Sequence, residues 1–114
     1  MTCDTELIYL VKDDNGSQVE CIITRENTGL PVNLTGAIAR LRFRKANTKT
    51  ILFTLTNVAG ESIDLTQGQA VFVFSSANLA LAPGLYEGEI EISFSGVNVE
   101  SVYELIHFQV RDDF

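Results

Sequence analysis

The stretch Ala37-Ile38-Ala39-Arg40-Leu41-Arg42-Phe43-Arg44-Lys45 alternates without interruption. A period of two places Ala37, Ala39, Leu41 and Phe43 on one side of an extended chain and Ile38, Arg40, Arg42 and Arg44 on the other, the signature of a half-buried β-strand. A second stretch, Leu85 to Ser95, has the same period with the opposite charge. Tyr86, Gly88, Ile90, Ile92 and Phe94 form its apolar side, and Glu87, Glu89, Glu91 and Ser93 its polar side. If the two strands are neighbours, the three arginines face the three glutamates across the outer surface of one sheet. Such cross-strand pairs contribute roughly 0.2–1 kcal/mol each, so they select register more than they add stability.

Outward from this pair the chain reads as strand, turn, strand. Thr5 to Lys12 is apolar at nearly every position. Gln18 to Arg25 alternates, with Val19, Cys21 and Ile23 on the core side. Ile51 to Thr56 turns Ile51, Phe53 and Leu55 inward, and Gln69 to Phe74 does the same with Ala70, Phe72 and Phe74. Ser101 to Arg111 is the seventh segment, with Val102, Ile106, Phe108 and Val110 on its core face. Asp13 to Ser17 reads as a tight hairpin turn, since Asn15 and Gly16 tolerate positive φ. Asn57 to Gly68 reads as a polar connection crossing between sheets. Ser75 to Leu81 is the one candidate for a helical turn, capped by Ser75 or Ser76, and Pro83-Gly84 suits a type II turn. Seven short strands without helix periodicity predict an all-β, immunoglobulin-like antiparallel β-sandwich, with residues 1–114 forming one domain.

The composition narrows the partners. With 46% apolar and 20% charged residues, the 114-residue chain can bury a core of its own. A net charge of −7 disfavours nucleic acid, whose affinity rests on Lys and Arg neutralising phosphates. No run approaches a membrane span, and the first residues lack the pattern of a signal peptide. Cys3 and Cys21 are expected to be free thiols, Cys3 at a frayed terminus and Cys21 in the core, and they match no zinc spacing.

A search for chemistry finds little. His107 is the single histidine and falls on the outer face of the last strand, without a nucleophile elbow to serve. Glu87, Glu89 and Glu91 form a solvent-facing stripe, whereas glycosidase carboxylates sit at a set separation in a cleft. Asp13-Asp14-Asn15-Gly16 lacks the closing Glu and flanking helices of a calcium loop. Asn33-Leu34-Thr35 is a sequon of a length that chance supplies, and phosphate-cradling glycine motifs do not occur. The expectation is a protein without enzymatic activity, cofactor or metal.

Three motifs carry a resemblance. The run Thr28-Gly29-Leu30-Pro31-Val32-Asn33-Leu34-Thr35-Gly36-Ala37 leading into Arg40 to Arg44, the stretch Pro83 to Ile92, and the closing Phe108 to Phe114 together resemble the N-terminal immunoglobulin-like domain of phage baseplate upper proteins, in its short, single-domain form. The resemblance implies a non-enzymatic assembly module that attaches or scaffolds components of a phage tail baseplate, often in multimers. It would be assembled in the host bacterial cytoplasm and carried in the virion tail. Longer members continue into further domains, and an end at Phe114 shifts the expectation from receptor contact to structure. Physical reasons for these motifs are that Leu34 can plug the bottom of the sandwich, that Tyr86 can cross the core with its hydroxyl seeking a partner at the edge, and that Gly88 marks a bulge or a close approach of backbone or of a large side chain such as Phe43. A carbohydrate-binding or adhesive sandwich is the alternative, weakened by the absence of Trp and the presence of only three Tyr.

The expected contact surface lies on the first and last strands, both apolar on two sides. Taking Glu6 and Lys12 as solvent-facing turns Ile8 and Leu10 outward, and the last strand leaves Tyr103 and Leu105 outside. If the two strands pair, these four form one patch near Ile38 through which the domain joins copies of itself or other tail proteins.

Overall fold

Each segment with period-two alternation forms a strand in the computed structural model, which describes residues 2–3, 7–25, 27–58, 60, 62–94, 99–101 and 105–112. In chain order the strands are β1 (Thr2–Cys3), β2 (Ile8–Val11), β3 (Ser17–Thr24), β4 (Ile38–Lys45), β5 (Ile51–Thr56), β6 (Gln69–Phe74), β7 (Gly84–Ser93), β8 (Val99–Ser101) and β9 (Ile106–Arg111). They build two sheets. One has the order β1-β3-β6; the other has β2-β9-β7-β4-β5, with β8 also against β7. β1 and β2 are two legs of one sandwich strand that changes sheet, and β8 and β9 are two legs of the last. Nine segments therefore make seven sandwich strands. Every pairing is antiparallel except β2 with β9, which is parallel. The protein is an all-β, immunoglobulin-like sandwich.

Dividing the first strand changes three expectations. β1 lies antiparallel to β3, Cys3 standing opposite Ile23, and Cys3 is as deeply buried as Cys21. The two cysteines are joined in a disulfide with a Cα–Cα separation of 5.5 Å, not left as free thiols. Secondly, β2 and β3 belong to different sheets, so Asp13 to Gly16 turns the chain across the sandwich instead of closing a hairpin. Asp13 takes φ of 62° and Gly16 of 88° to do so. Thirdly, Leu10 points into the core and Tyr9 outward, the reverse of the expected phase. Lys12 belongs to the turn, and the change of sheet means that one alternation cannot be carried across from the residues before Leu7.

Two further differences are local. The β4–β5 register shifts between Phe43 and Arg44, placing Ile51 opposite Arg44. The bulge moves Ile51 to the outer side, because a one-residue slip exchanges the faces of a strand. The regular helical segment among the described residues is a 3-10 turn, Leu65–Gln67, within the connection read as polar and irregular. It is capped by Asp64, whose carboxylate accepts from the Thr66 amide. Residues 75–79 make a single turn, in which the Leu79 amide donates to the Ser75 carbonyl.

The core centres on Phe43. Its ring stacks on Phe53 at 4.7 Å and on Tyr86 at 5.3 Å, and meets Phe108 at 5.1 Å and Phe74 at 5.7 Å. Gly88 stands directly opposite Phe43 on β7. A methyl group there would lie 2.6 Å from Leu41 Cδ1 and 3.0 Å from Phe108 Cε2, so the missing side chain is room taken by two buried neighbours. The Tyr86 hydroxyl donates to the Ala82 carbonyl at 2.7 Å, pinning the entry to β7 in the manner of a tyrosine corner. Leu34 is buried at the end of the sandwich, its amide donating to the Leu65 carbonyl. Gly68, at φ 75°, lies against the Ile23 backbone, and a Cβ would collide with the Ile23 carbonyl oxygen.

These contacts set an order of sensitivity to mutation. Gly68→Ala, which meets both positive φ and rigid backbone, is expected to cost at least about 2 kcal/mol. Tyr86→Phe, which removes one hydrogen bond and keeps the ring, should cost about 1 kcal/mol. Urea titration of the two variants measures both, and equal losses would contradict the assignment. Removing the disulfide by Cys3→Ser with Cys21→Ser frees a loop of sequence separation 18. Its expected cost is about 3 kcal/mol, read as a lower urea midpoint that reductant does not shift further.

Candidate interaction surface

The outer face of the larger sheet is built on the β4–β7 ladder. Arg40 is opposite Glu91, Arg42 opposite Glu89 and Arg44 opposite Glu87, the juxtaposition that the two alternating stretches predict. Arg44 Nε donates to Glu87 Oε1 at 2.8 Å, and its Nη1 lies 3.9 Å from Glu89. Arg42 Nη2 reaches diagonally to Glu91 at 3.0 Å. Arg40 donates to the Ser93 hydroxyl at 3.0 Å. The lattice is unevenly hydrated. Glu87 is only 9% exposed, although it points to the outer side, because His107 and Arg44 flank it on the neighbouring strands.

At one margin of this face Leu7, which precedes β2, and Tyr9 and Val11 on β2 are 41%, 53% and 38% exposed. Arg111 lies over the Tyr9 ring at 3.9 Å, a cation–π contact that keeps the ring upright at the edge. Two strands inward Leu85 is exposed, with Gln109 between it and Tyr9 in the same row. The terminal strands therefore do pair and do present an apolar strip, but different residues form it. Leu10 is buried; Ile8 and Leu105 are half-buried, Ile8 packing against the core. Tyr103 lies outside the described residues. Ile38 is exposed as expected, yet it stands opposite Ser93 at the far end of β7, whereas Ile8 is in register with Phe108 and Tyr86. Seven residues of strand, about 23 Å, separate those rows, so Ile38 does not belong to the strip. The sequence signal for Tyr9 was its place between Ile8 and Leu10 in a run apolar on both sides; only the change of sheet fixes which side is out.

Of the connection between β5 and β6, Val58 lies against β6, its amide donating to the Val71 carbonyl, and Leu65 packs on the core. A shallow depression at the β2–β3 turn is lined by Val11, Lys12, Asp13 and Asp14. Among the described residues no group of three or more His, Cys, Asp or Glu could hold a metal ion, and no helix is long and apolar enough to cross a membrane. His107 is exposed on β9.

No protein-family model matches the chain, and no curated protein does. Among solved structures, mouse CRIg is similar over 99% of this chain and 98% of its own, at 11% identity and a TM-score of 0.47. AggA, the major subunit of aggregative adherence fimbriae type I from Escherichia coli, is similar over 94% of this chain and 91% of its own, at 13% identity and a TM-score of 0.39. The fold assignment rests on the strand order itself.

The uneven hydration of the lattice generates a test. Arg44→Met leaves Glu87 enclosed without its cation and should cost about 2–3 kcal/mol, somewhat less than breaking a fully buried pair. Arg42→Met, at a side chain 41% exposed, should cost at most about 1 kcal/mol. A double-mutant cycle on Arg44 and Glu87 should show the larger coupling, and similar couplings at both arginines would contradict the burial argument.

Proposed function

We propose that the chain is a non-enzymatic assembly module of a phage tail baseplate, working through protein–protein contacts. The observation that carries this reading is the exposed apolar strip of Leu7, just before β2, with Tyr9 and Val11 on β2, at a sheet margin where water would otherwise wet it. Exposed apolar surface beside an open edge marks an interaction site. The resemblance of the Thr28 to Arg44 and Pro83 to Ile92 stretches to baseplate upper proteins supplies the setting. The partners in this reading are other tail proteins and further copies of the chain, and a net charge of −7 disfavours nucleic acid. The Cys3–Cys21 bridge suits a protein that is built in the bacterial cytoplasm and meets oxidising surroundings once virions leave the cell.

Sedimentation of the chain, alone and coexpressed with the products of its neighbouring genes, tests the proposal. The expected result is a species heavier than the monomer, formed with itself or with an identified tail protein, and weakened about tenfold or more by Tyr9→Glu, as loss of a central aromatic anchor implies. A monomer under both conditions, or an assembly indifferent to Tyr9→Glu, would overturn it.

A further inference from the structure

The four sheet edges are not alike. β1 is two residues long. β6 is partly covered, because Val71 and Asp64 carbonyls accept from the Val58 and Gln69 amides alongside it. β2 has four residues, with Lys12 and Arg111 at its end. β5 differs from all three. It closes the order of the larger sheet, runs for six residues of sequence Ile-Leu-Phe-Thr-Leu-Thr, and carries no charge and no proline. Among the described residues nothing pairs with its second edge. Natural edge strands are shielded by brevity, charge, proline or a cover, and β5 has only the bulge near Ile51. Phe53 and Leu55 remain half-buried at the margin of the core, where one more strand would complete their cover.

Charge identifies what that strand is. The β4–β5 hairpin, residues 38–56, holds five of the eight basic residues of the chain, Arg40, Arg42, Arg44, Lys45 and Lys49, and none of its fifteen acidic ones. Arg42 and Arg44 are engaged with the β7 glutamates. Arg40, opposite Thr56 at one end of β5, is turned towards β7 and donates to Ser93, whereas Lys45 and Lys49 are exposed at the other end, around the turn into Ile51. An apolar edge with two exposed lysines at its Ile51 end fits an extended segment that is apolar in its middle and acidic where it ends beside them. A second copy joined β5 to β5 would instead bring two basic hairpins together.

We infer that the free edge of β5 takes up such an acidic-ended, extended segment of a partner protein as an added strand. Main-chain hydrogen bonds would hold it and the flanking cations would select it. This rests on the reading of the chain as an assembly module only in taking the partner to be a protein, and it uses a surface separate from the β2 strip.

The experiment titrates the full chain with a synthetic peptide of alternating Val and Thr flanked by Glu, and with its counterpart flanked by Lys, by fluorescence anisotropy and amide NMR. The Glu-flanked peptide should bind about tenfold or more tighter, a preference expected of complementary charge and lost at high salt. Shifts should centre on residues 51–56. N-methylation of the peptide along one edge should abolish binding, Leu52→Lys should weaken it, and Lys45→Glu with Lys49→Glu should reverse the preference. Tyr9→Glu should leave binding unchanged, which separates failure here from failure of the assembly reading. Equal binding of the two peptides, binding that survives N-methylation, no binding at all, or a dimer of the chain abolished by Leu52→Lys would each overturn the inference.

Discussion

The packing of Phe43 among four aromatic rings, beside the gap that Gly88 leaves to Leu41 and Phe108, is the constraint on which the rest of the structure depends. A β-sandwich core is closed when side chains from both sheets interdigitate, and here one ring touches aromatic residues of β5, β6, β7 and β9. That arrangement requires β4 and β7 to be adjacent in a single register. Leu41 and Phe108 fill the space a side chain at position 88 would occupy, so any other register would leave a void or a collision. The Arg and Glu stripes on the reverse of the same two strands agree with that register. Packing inside and charge outside thus specify one pairing, a consistency across levels that favours a single native arrangement.

Several consequences follow from fixing the central pair. Because β7 is held between β4 and β9, the Tyr86 hydroxyl comes within reach of Ala82. Because β9 is placed by β7, β2 can add to it in parallel and end the sheet. The outer face therefore has a charged centre and apolar margins, an arrangement dictated by the core beneath it. Glu87 illustrates the coupling. Its enclosure comes from the close approach of β9 and β4 on either side, and Arg44 supplies the compensating charge.

Local sequence determined much of this. Strands with one wet face, such as β3, β4 and β7, are legible because alternation reports burial directly, and the β4–β7 juxtaposition could be inferred from two complementary stripes. The first ten residues were not legible in the same way. A run that is apolar on both sides carries no phase, and the change of sheet between Cys3 and Ile8 is a tertiary event that neither Gly nor Pro announces. The same event places Cys3 beside Cys21, so the disulfide and the orientation of Tyr9 were hidden for one reason. The outward turn of Ile51 had a different cause, since a bulge depends on the partner strand and leaves no period of its own. The edge at β5 was visible as an uncharged run; that it is an edge is a property of topology.

The Cys3–Cys21 bridge also governs how the fold would carry tension. A pull applied at the two ends of the chain passes from Cys3 directly to Cys21 through the sulfurs, bypassing the intervening residues, which include the whole of β2. β2 would then carry no chain tension itself, although β9 beside it, leading to the other pulled end, would. With the bridge reduced, the same pull would run along β2 itself and load its parallel pairing with β9 in shear, all rows together instead of one after another. The oxidation state of one bond thus decides whether β2, the strand that displays Tyr9, lies outside the path of the force or within it.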